Sequence, residues 1–342
     1  MGQEMAVQGK SAANRGALSR VWSLPATRAM AAFLFVLVVG CCFNAEGAFY
    51  KIGTHRDALR QASVYGILAC GMTVVILSGG IDLSVGSVMG LVAVSFSLMS
   101  INWGWPAWIS ILACLGLGII CGALSGLLTA CFGVQPFIAT LAMMVFARGL
   151  AKTISGGMKV STAVRNADGT YHYVDVPALF RLIDSRIGGG NLSMVTLIFL
   201  SCAILMLLLL SRHRWGRYAY AIGGNEVAAR LSGVPVKFAK VLAYASSGLM
   251  AGIAGMCQAA QEQQGDPETG IGYELTAIAM VVIGGTTLSG GRGGIGLTLA
   301  GTLTIGYLEK ILSINAVPEA SRLMLTGGII VVAVLAQRSR RA

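Results

Sequence analysis

Charge is scarce in this sequence. Asp, Glu, Lys and Arg together supply 11% of the 342 residues, where a soluble domain of ordinary composition carries about 25%. With 55% hydrophobic residues and a mean hydropathy of +0.74, too little polar surface exists to wrap a water-soluble globule. Lipid must be the solvent for much of the chain. Several chemistries are missing as well. No G-x-x-x-x-G-K-[ST] loop is present, so the chain has no P-loop for ATP. Neither a G-x-S-x-G elbow nor an H-E-x-x-H helix occurs. The three histidines, His55, His172 and His213, fall in separate loops with no triad or metal cluster beside them. None of the eight cysteines (Cys41, Cys42, Cys70, Cys114, Cys121, Cys131, Cys202, Cys257) forms a C-x-x-C pair. They lie in or beside apolar segments, as small buried residues do.

Glycine, by contrast, is plentiful: 46 residues, which fits helices that approach closely in lipid. The net charge of +11 does not signal nucleic acid, because the basic residues punctuate the ends of apolar runs instead of forming one face. A helix needs about 20 apolar residues to cross the hydrocarbon core. Ten segments approach that, near 27–45, 62–80, 85–101, 107–132, 137–153, 192–210, 241–261, 273–289, 295–314 and 321–337. The motif Leu37-Val38-Val39-Gly40-Cys41 resembles a lipoprotein cleavage box, but many spans follow and the preceding stretch is long and mostly polar. It reads as a first transmembrane helix.

Orientation follows from Lys and Arg. Placing both termini inside puts 14 of the 25 basic residues in cytoplasmic stretches and nine outside. The expected organisation is a cytoplasmic segment 1–26, a transmembrane domain 27–337 and a cytoplasmic tail 338–342. Within the domain, 154–191 forms an outer, periplasmic loop and 211–240 a basic inner one. The fold class is all-α, a polytopic bundle of about ten spans.

Three glycine-rich stretches carry the local chemistry. Gly79-Gly80-Ile81-Asp82-Leu83-Ser84 interrupts an apolar run, and such backbone is tolerated at membrane depth only where protein buries it or a wet cavity solvates it. Asp82 or Ser84 suits a cap on the next helix. Gly284 to Gly291 has the same character, with Thr286 and Ser289 as hydroxyl donors. A weak internal echo links Val74-Val75-Ile76 before Ser78-Gly79-Gly80 to Val281-Val282-Ile283 before Ser289-Gly290-Gly291. Gly223–Gly233 reads as one short helix, with Asn225 as N-cap, Glu226 at its positive start and Gly233 at the C′ position. Charge alone leaves two roles open for it, a topological anchor or a docking element. Charged groups at membrane depth are few: Asp82 in a turn, Glu274 at a helix start, and Arg148 and Lys152 near a helix end are the candidates for an ion-coupled site, and each could instead snorkel or cap.

Four stretches resemble the ribose-type permeases of ABC importers, in the branched-chain/monosaccharide superfamily. They are Gly71 to Ser87 (GMTVVILSGGIDLSVGS); Val134 to Leu141 (VQPFIATL) with Ala147-Arg148-Gly149-Leu150; Ala221 to Val234 (AIGGNEVAARLSGV); and Tyr273-Glu274-Leu275 running on to Gly293. In order, they cover roughly residues 55–340. The resemblance implies broken or short helices near a substrate pathway, with Asp82, Ser84, Gln135, Thr140, Glu274, Thr286 and Ser289 as pathway residues. It makes Gly223, Gly224, Asn225, Glu226, Ala229, Arg230 and Gly233 the element that couples to an ATPase. It further implies a separate ABC ATPase subunit carrying ATP and Mg, a periplasmic substrate-binding protein, a second permease copy, and no cofactor on this chain. Thr276 departs from the family's usual acidic residue, Glu309-Lys310 from its asparagine-rich pair, and Gly188-Gly189-Gly190 from its proline-rich turn. These departures point away from ribose itself, toward another monosaccharide or a polyol. Rival readings are a branched-chain amino-acid permease of the same superfamily, an ion-coupled secondary carrier, and a passive channel.

Overall fold

In lipid every backbone N–H and C=O must find a partner within the protein, and the helix is the local way to supply one. The apolar runs fold accordingly. The computed structural model describes residues 25–165 and 170–338, so the expected N-terminal segment 1–26 and tail 338–342 fall almost wholly outside the described residues. Thirteen helices are present among the described residues: α1 Pro25–Cys42, α2 Ile52–Leu77, α3 Val85–Ser97, α4 Ala107–Ala130, α5 Pro136–Ser155, α6 Ala178–Asp184, α7 Met194–Ser211, α8 Arg214–Gly224, α9 Glu226–Leu231, α10 Val236–Glu262, α11 Tyr273–Gly284, α12 Ile295–Ile314 and α13 Glu319–Arg338. A π turn, Leu98–Asn102, extends α3. The chain is a polytopic helical membrane protein.

A helix occupies each of the ten expected segments, but not as ten crossings of ordinary length. Among the described residues, eight are long and apolar enough to span: α1, α2, α3 with its π turn, α4, α5, α7, α10 and α12. The expected span 273–289 is corrected, because α11 stops at Gly284 after 12 residues. At 1.5 Å per residue it reaches about 18 Å, well short of a bilayer core about 30 Å thick. Gly285 (φ +109°) ends it in a left-handed conformation that only glycine adopts at low cost.

The centre of the bundle is α10, which packs on α2, α3 and α4. Glycines set the closest approach. Gly118 and Gly122 of α4 face Gly248 and Gly252 of α10, where a Cβ built on Gly248 would stand 2.9 Å from the Gly122 amide nitrogen. Buried hydroxyls link neighbours at other contacts: Thr73 of α2 meets Thr298 of α12 at 2.6 Å, and Ser63 of α2 donates to Thr196 of α7 at 3.1 Å. Small residues and isolated hydroxyl pairs are what holds helices together when lipid removes the hydrophobic drive.

Two short helices start inside the bundle. After α2, residues 78–84 turn back so that Asp82 meets Ser247, near the middle of α10, and α3 begins there. After α10, the chain runs as a non-helical strap, 263–272, a two-residue strand followed by turns, back along α3. Gly265 packs on Val94 and Ser97 near one end of α3, Thr269 on Gly90, and Gly270 on Gly86 at its other end. There α11 begins. A long helix, a non-helical return and a short helix therefore occur twice, and the two short helices meet at their N-termini. This is not the echo seen in the sequence, which pairs the end of long α2 with the end of short α11.

At the end remote from α9, the described parts of 154–191 form small antiparallel pairs. They are β1 Val160–Ser161 with β6 Gln264–Gly265, β2 Ala163–Arg165 with β3 Tyr171–Tyr173, and β4 Arg186–Ile187 with β5 Leu192–Ser193. Ion pairs fasten this surface: Arg60 to Asp184, Arg186 to Asp57 at 2.8 Å, and Lys159 to Asp266 at 3.0 Å. Loop 154–191 and loop 211–240 thus occupy opposite ends of the bundle.

Candidate functional site

The first focus is the break between α2 and α3. Asp82 and Ser84 are each 1% exposed. The Asp82 carboxylate accepts from the Ser84 amide at 2.9 Å and the Ser84 hydroxyl at 2.6 Å. Its second oxygen accepts from the Ser247 hydroxyl of α10 at 2.8 Å. Ser84 precedes the first residue of α3 but donates its hydroxyl to Asp82 and caps no amide of the helix. Asp82 satisfies the entry to the helix and ties it to α10. Thr140 of α5 is buried and donates to the Pro136 carbonyl at 3.0 Å, with the Ile81 carbonyl at 3.4 Å. Glu274, half-buried in the first turn of α11, completes this region: a Cβ on Gly86 would lie 2.5 Å from its Oε2.

Four of the seven expected pathway residues therefore gather around the two short-helix starts. The other three do not. Gln135 is exposed just before α5, at the end that carries α9, and caps nothing with its side chain. Thr286 and Ser289 lie in the turn after α11, also at that end. Thr286 is buried, its hydroxyl accepting from the Gly294 amide at 3.3 Å, while Ser289 is exposed. Sequence reasoning missed Ser247 and Tyr244. In sequence they read as ordinary packing within an apolar helix. Tyr244 is 1% exposed, and a Cβ on Gly80 would collide with its hydroxyl.

The second focus is a junction of three glycine pairs, Gly79-Gly80, Gly223-Gly224 and Gly290-Gly291. Gly291 donates its amide to the Leu77 carbonyl at 3.0 Å, joining the turn after α11 to the end of α2. Gly223 of α8 is wedged against both atoms of that bond, and a Cβ on Gly290 would stand 2.8 Å from the Gly223 Cα. Within the expected segment Gly223–Gly233 the helix starts after Asn225, as its N-cap role implies, and Gly223 and Gly224 belong to the helix before it. They end α8, Asn225 is extended (φ −160°, ψ 105°), and α9 is Glu226–Leu231. Asn225 does cap α9, its side-chain oxygen accepting from the Ala228 amide at 3.0 Å. Gly233 has φ +79°. Arg230 pairs with Glu226 at 3.1 Å across one turn, and Lys240 of α10 reaches Glu226 at 2.6 Å.

Ala229 faces inward, packed with Ile222, Val236 and Ala239, so a bulky residue there would unseat α9 from its own bundle and not meet a partner directly. Val227 and Leu231 are the outward residues, 68% and 85% exposed.

Lys240, with Arg230, holds the Glu226 carboxyl below the usual carboxylate range. A carboxyl depressed in the folded state stabilises above its unfolded pKa, about 4.3, and that contribution fades as pH falls through the folded value. Glu226 is 38% exposed in its side chain, so screening limits the contribution to about 1 kcal/mol or less. Melting of the purified protein should show a small, level advantage over Glu226→Gln above about pH 5. That advantage should shrink below about pH 4.3, whereas one that grew as pH fell would contradict the ion pair.

An apolar cleft of about 450 Å³ opens between α1, α7 and the start of α12, lined by Met30, Leu210, Tyr220 and Ile295 among others. It shares no residue with the Asp82 region. Among the described residues no group of three His, Cys, Asp or Glu side chains is arranged to hold a metal.

A family model described as the permease component of the branched-chain amino acid transport system matches residues 56–334. The ribose import permease protein of Escherichia coli is 35% identical over 97% of this chain and 99% of its own. That of Bacillus subtilis is 37% identical over 91% of each chain. The xylose transport system permease protein of Escherichia coli is 32% identical over 89% of this chain and 90% of its own. No solved structure matches significantly. With a family model spanning almost the whole described bundle and relatives aligned nearly end to end, the chain belongs to the family of branched-chain amino acid transport system permease components, as a membrane-spanning transport subunit.

Proposed function

We propose that this chain is the inner-membrane permease subunit of an ATP-driven importer that moves a monosaccharide or polyol. The observation that supports it best is α9, a capped helix seated on the end of the bundle through Ala229, with Val227 and Leu231 turned outward. An anchor needs only positive charge; a capped helix with an apolar outer edge suits a groove on another protein. The glycine junction places α9 two residues from the contact between the α2 and α11 ends, so a push on α9 reaches both helices that bound the central breaks. ATP and Mg belong to the partner ATPase in this reading. The resemblance adds a periplasmic binding protein and a second permease copy, giving a homodimeric core. Relatives named for ribose, xylose and fructose favour sugar over an amino acid, and the hydroxyl-rich interior agrees with a neutral, polyhydroxylated cargo.

Leu231→Asp tests the docking surface. Co-expressed with a P-loop ATPase encoded beside it, the variant should insert normally but retain at least roughly tenfold less ATPase on purification, since a charge in a desolvated interface costs several kcal/mol. Undiminished copurification would return α9 to the role of anchor. Uptake that follows ATP and ignores a protonophore excludes the ion-coupled carrier. Ligand binding to the soluble partner across pentoses, hexoses, inositols and pentitols identifies the cargo.

A further inference from the structure

The motif Ala147-Arg148-Gly149-Leu150 finds no use in either focus above, and the structure gives Arg148 a definite one. Arg148 lies in α5 and reaches across α3 to the strap 263–272. Its Nη1 donates to the backbone carbonyls of Pro267 and Thr269, the latter at 2.8 Å. Of the roles open to it in sequence, the structure shows neither an ion site nor snorkelling: the guanidinium turns inward, toward carbonyls that no helix or strand satisfies. Non-helical backbone inside a bundle has to have its polar groups met by protein or water, and a planar guanidinium offers several donors in one place.

The seat is built on α3. Gly86 and Gly90, one turn apart, leave a groove where a side chain would otherwise stand. A Cβ on Gly90 would lie 2.6 Å from the Thr269 carbonyl oxygen and 2.8 Å from Arg148 Nη1. On Gly86 it would strike the Gly270 carbonyl. Gly270 itself has φ +81°, so the strap turns there without strain and enters α11. Further out, Lys152 pairs with Glu268 at 2.9 Å and Lys159 with Asp266 at 3.0 Å. The side chains of Lys152 and Lys159 are 49% and 60% exposed, and such pairs hold little. Arg148 is the inner fastening. The start of α11, with Tyr273 and Glu274, depends on it for its depth in the bundle.

We propose that Arg148 is the positioning residue of the transport path: it pins the strap into the Gly86–Gly90 groove and so sets where the two short helices meet. This rests on the transport reading above, and the test separates the two. Cys41, Cys42 and Cys131 are exposed, and the other five cysteines are buried. With the three exposed ones changed to Ser, Thr269→Cys reports the strap, and the five buried thiols report unfolding.

In Arg148→Gln a water-soluble maleimide should label position 269 at least tenfold faster while the buried thiols stay silent, and uptake should fall at least tenfold. Arg148→Lys, which keeps N–H donors, should restore slow labelling to within about threefold of the parent. Unchanged labelling in folded Arg148→Gln overturns the clamp, and faster labelling with unchanged uptake overturns its role in transport. If Arg148→Gln exposes the buried thiols, Gly90→Ala decides, because its methyl displaces both Thr269 and Arg148 with the arginine still present. Faster labelling there supports the clamp, and parental labelling overturns it. A parent protein that shows no ATP-dependent uptake sinks the transport reading and leaves the labelling result standing.

Discussion

Gly223→Ala should abolish transport, while Gly224→Ala, one residue on, should pass unnoticed. The added methyl at 223 would fall on the Leu77 carbonyl oxygen and the Gly291 amide nitrogen. Both are backbone atoms, and they are the two ends of one hydrogen bond at 3.0 Å. No rotamer change can relieve such a collision, so α8 must move away from the ends of α2 and α11, or the bond between them must break. Overpacking in well-packed interiors costs about 1–3 kcal/mol, and a buried amide and carbonyl separated without new partners add about 1–3 kcal/mol each. At 224 nothing lies within 4 Å of a built Cβ, and alanine in a helix is favoured over glycine by about 1 kcal/mol. The check is melting in detergent together with ATP-dependent uptake in liposomes. Equal behaviour of the two variants would mean that the three glycine pairs do not form a tight junction.

Asp82→Ala is expected to be the second most damaging change. Its three donors are the Ser84 amide, the Ser84 hydroxyl and the Ser247 hydroxyl. Ser247 can turn back to a carbonyl of its own helix, as serines in helices do. The Ser84 amide cannot, because it sits at a helix start where no carbonyl precedes it. One buried donor left unpaired costs about 1–3 kcal/mol, and the connection between α3 and α10 goes with it. Uptake should drop to background, with a lowered melting temperature. Asp82→Asn keeps one acceptor oxygen for Ser84 but presents N–H groups to Ser247, so it should retain the α3 entry and lose the α10 tie. An intermediate melting temperature is the expected reading. Should Asp82→Asn abolish uptake that in the parent collapses with the proton gradient, Asp82 would be a proton site and not a structural tie.

The apolar segments were legible from composition because the cost of lipid-exposed backbone acts on every residue of a span, whatever its neighbours. The features of α9 were legible for a related reason. The Asn225 cap, the Glu226–Arg230 pair and the left-handed Gly233 all involve partners within a few residues, so their chemistry is written in adjacent positions. The helix that runs up to Gly224 just before α9 was not legible, because what seats it there is the packing of Gly223 against Leu77 and Gly291, far away in sequence.

Beyond that range the sequence is silent. Asp82 and Ser247 are 165 residues apart, and Arg148 lies 121 residues from Thr269; no local pattern marks either pairing. Glu274 and Asp82 stand out as carboxylates in apolar surroundings, yet that both lie at short-helix starts inside the bundle depends on where two non-helical segments turn back. Ala229 could face a partner or its own core with the same sequence, since alanine suits both. By itself the chain determined its solvent, its helices and their local caps, because those answer to nearest neighbours and to lipid. The meeting of two short helices at the centre, the strap across α3 and the inward turn of Arg148 were decided only in three dimensions. There, glycines permit backbones to touch, and a buried carbonyl must take whichever donor the packing brings.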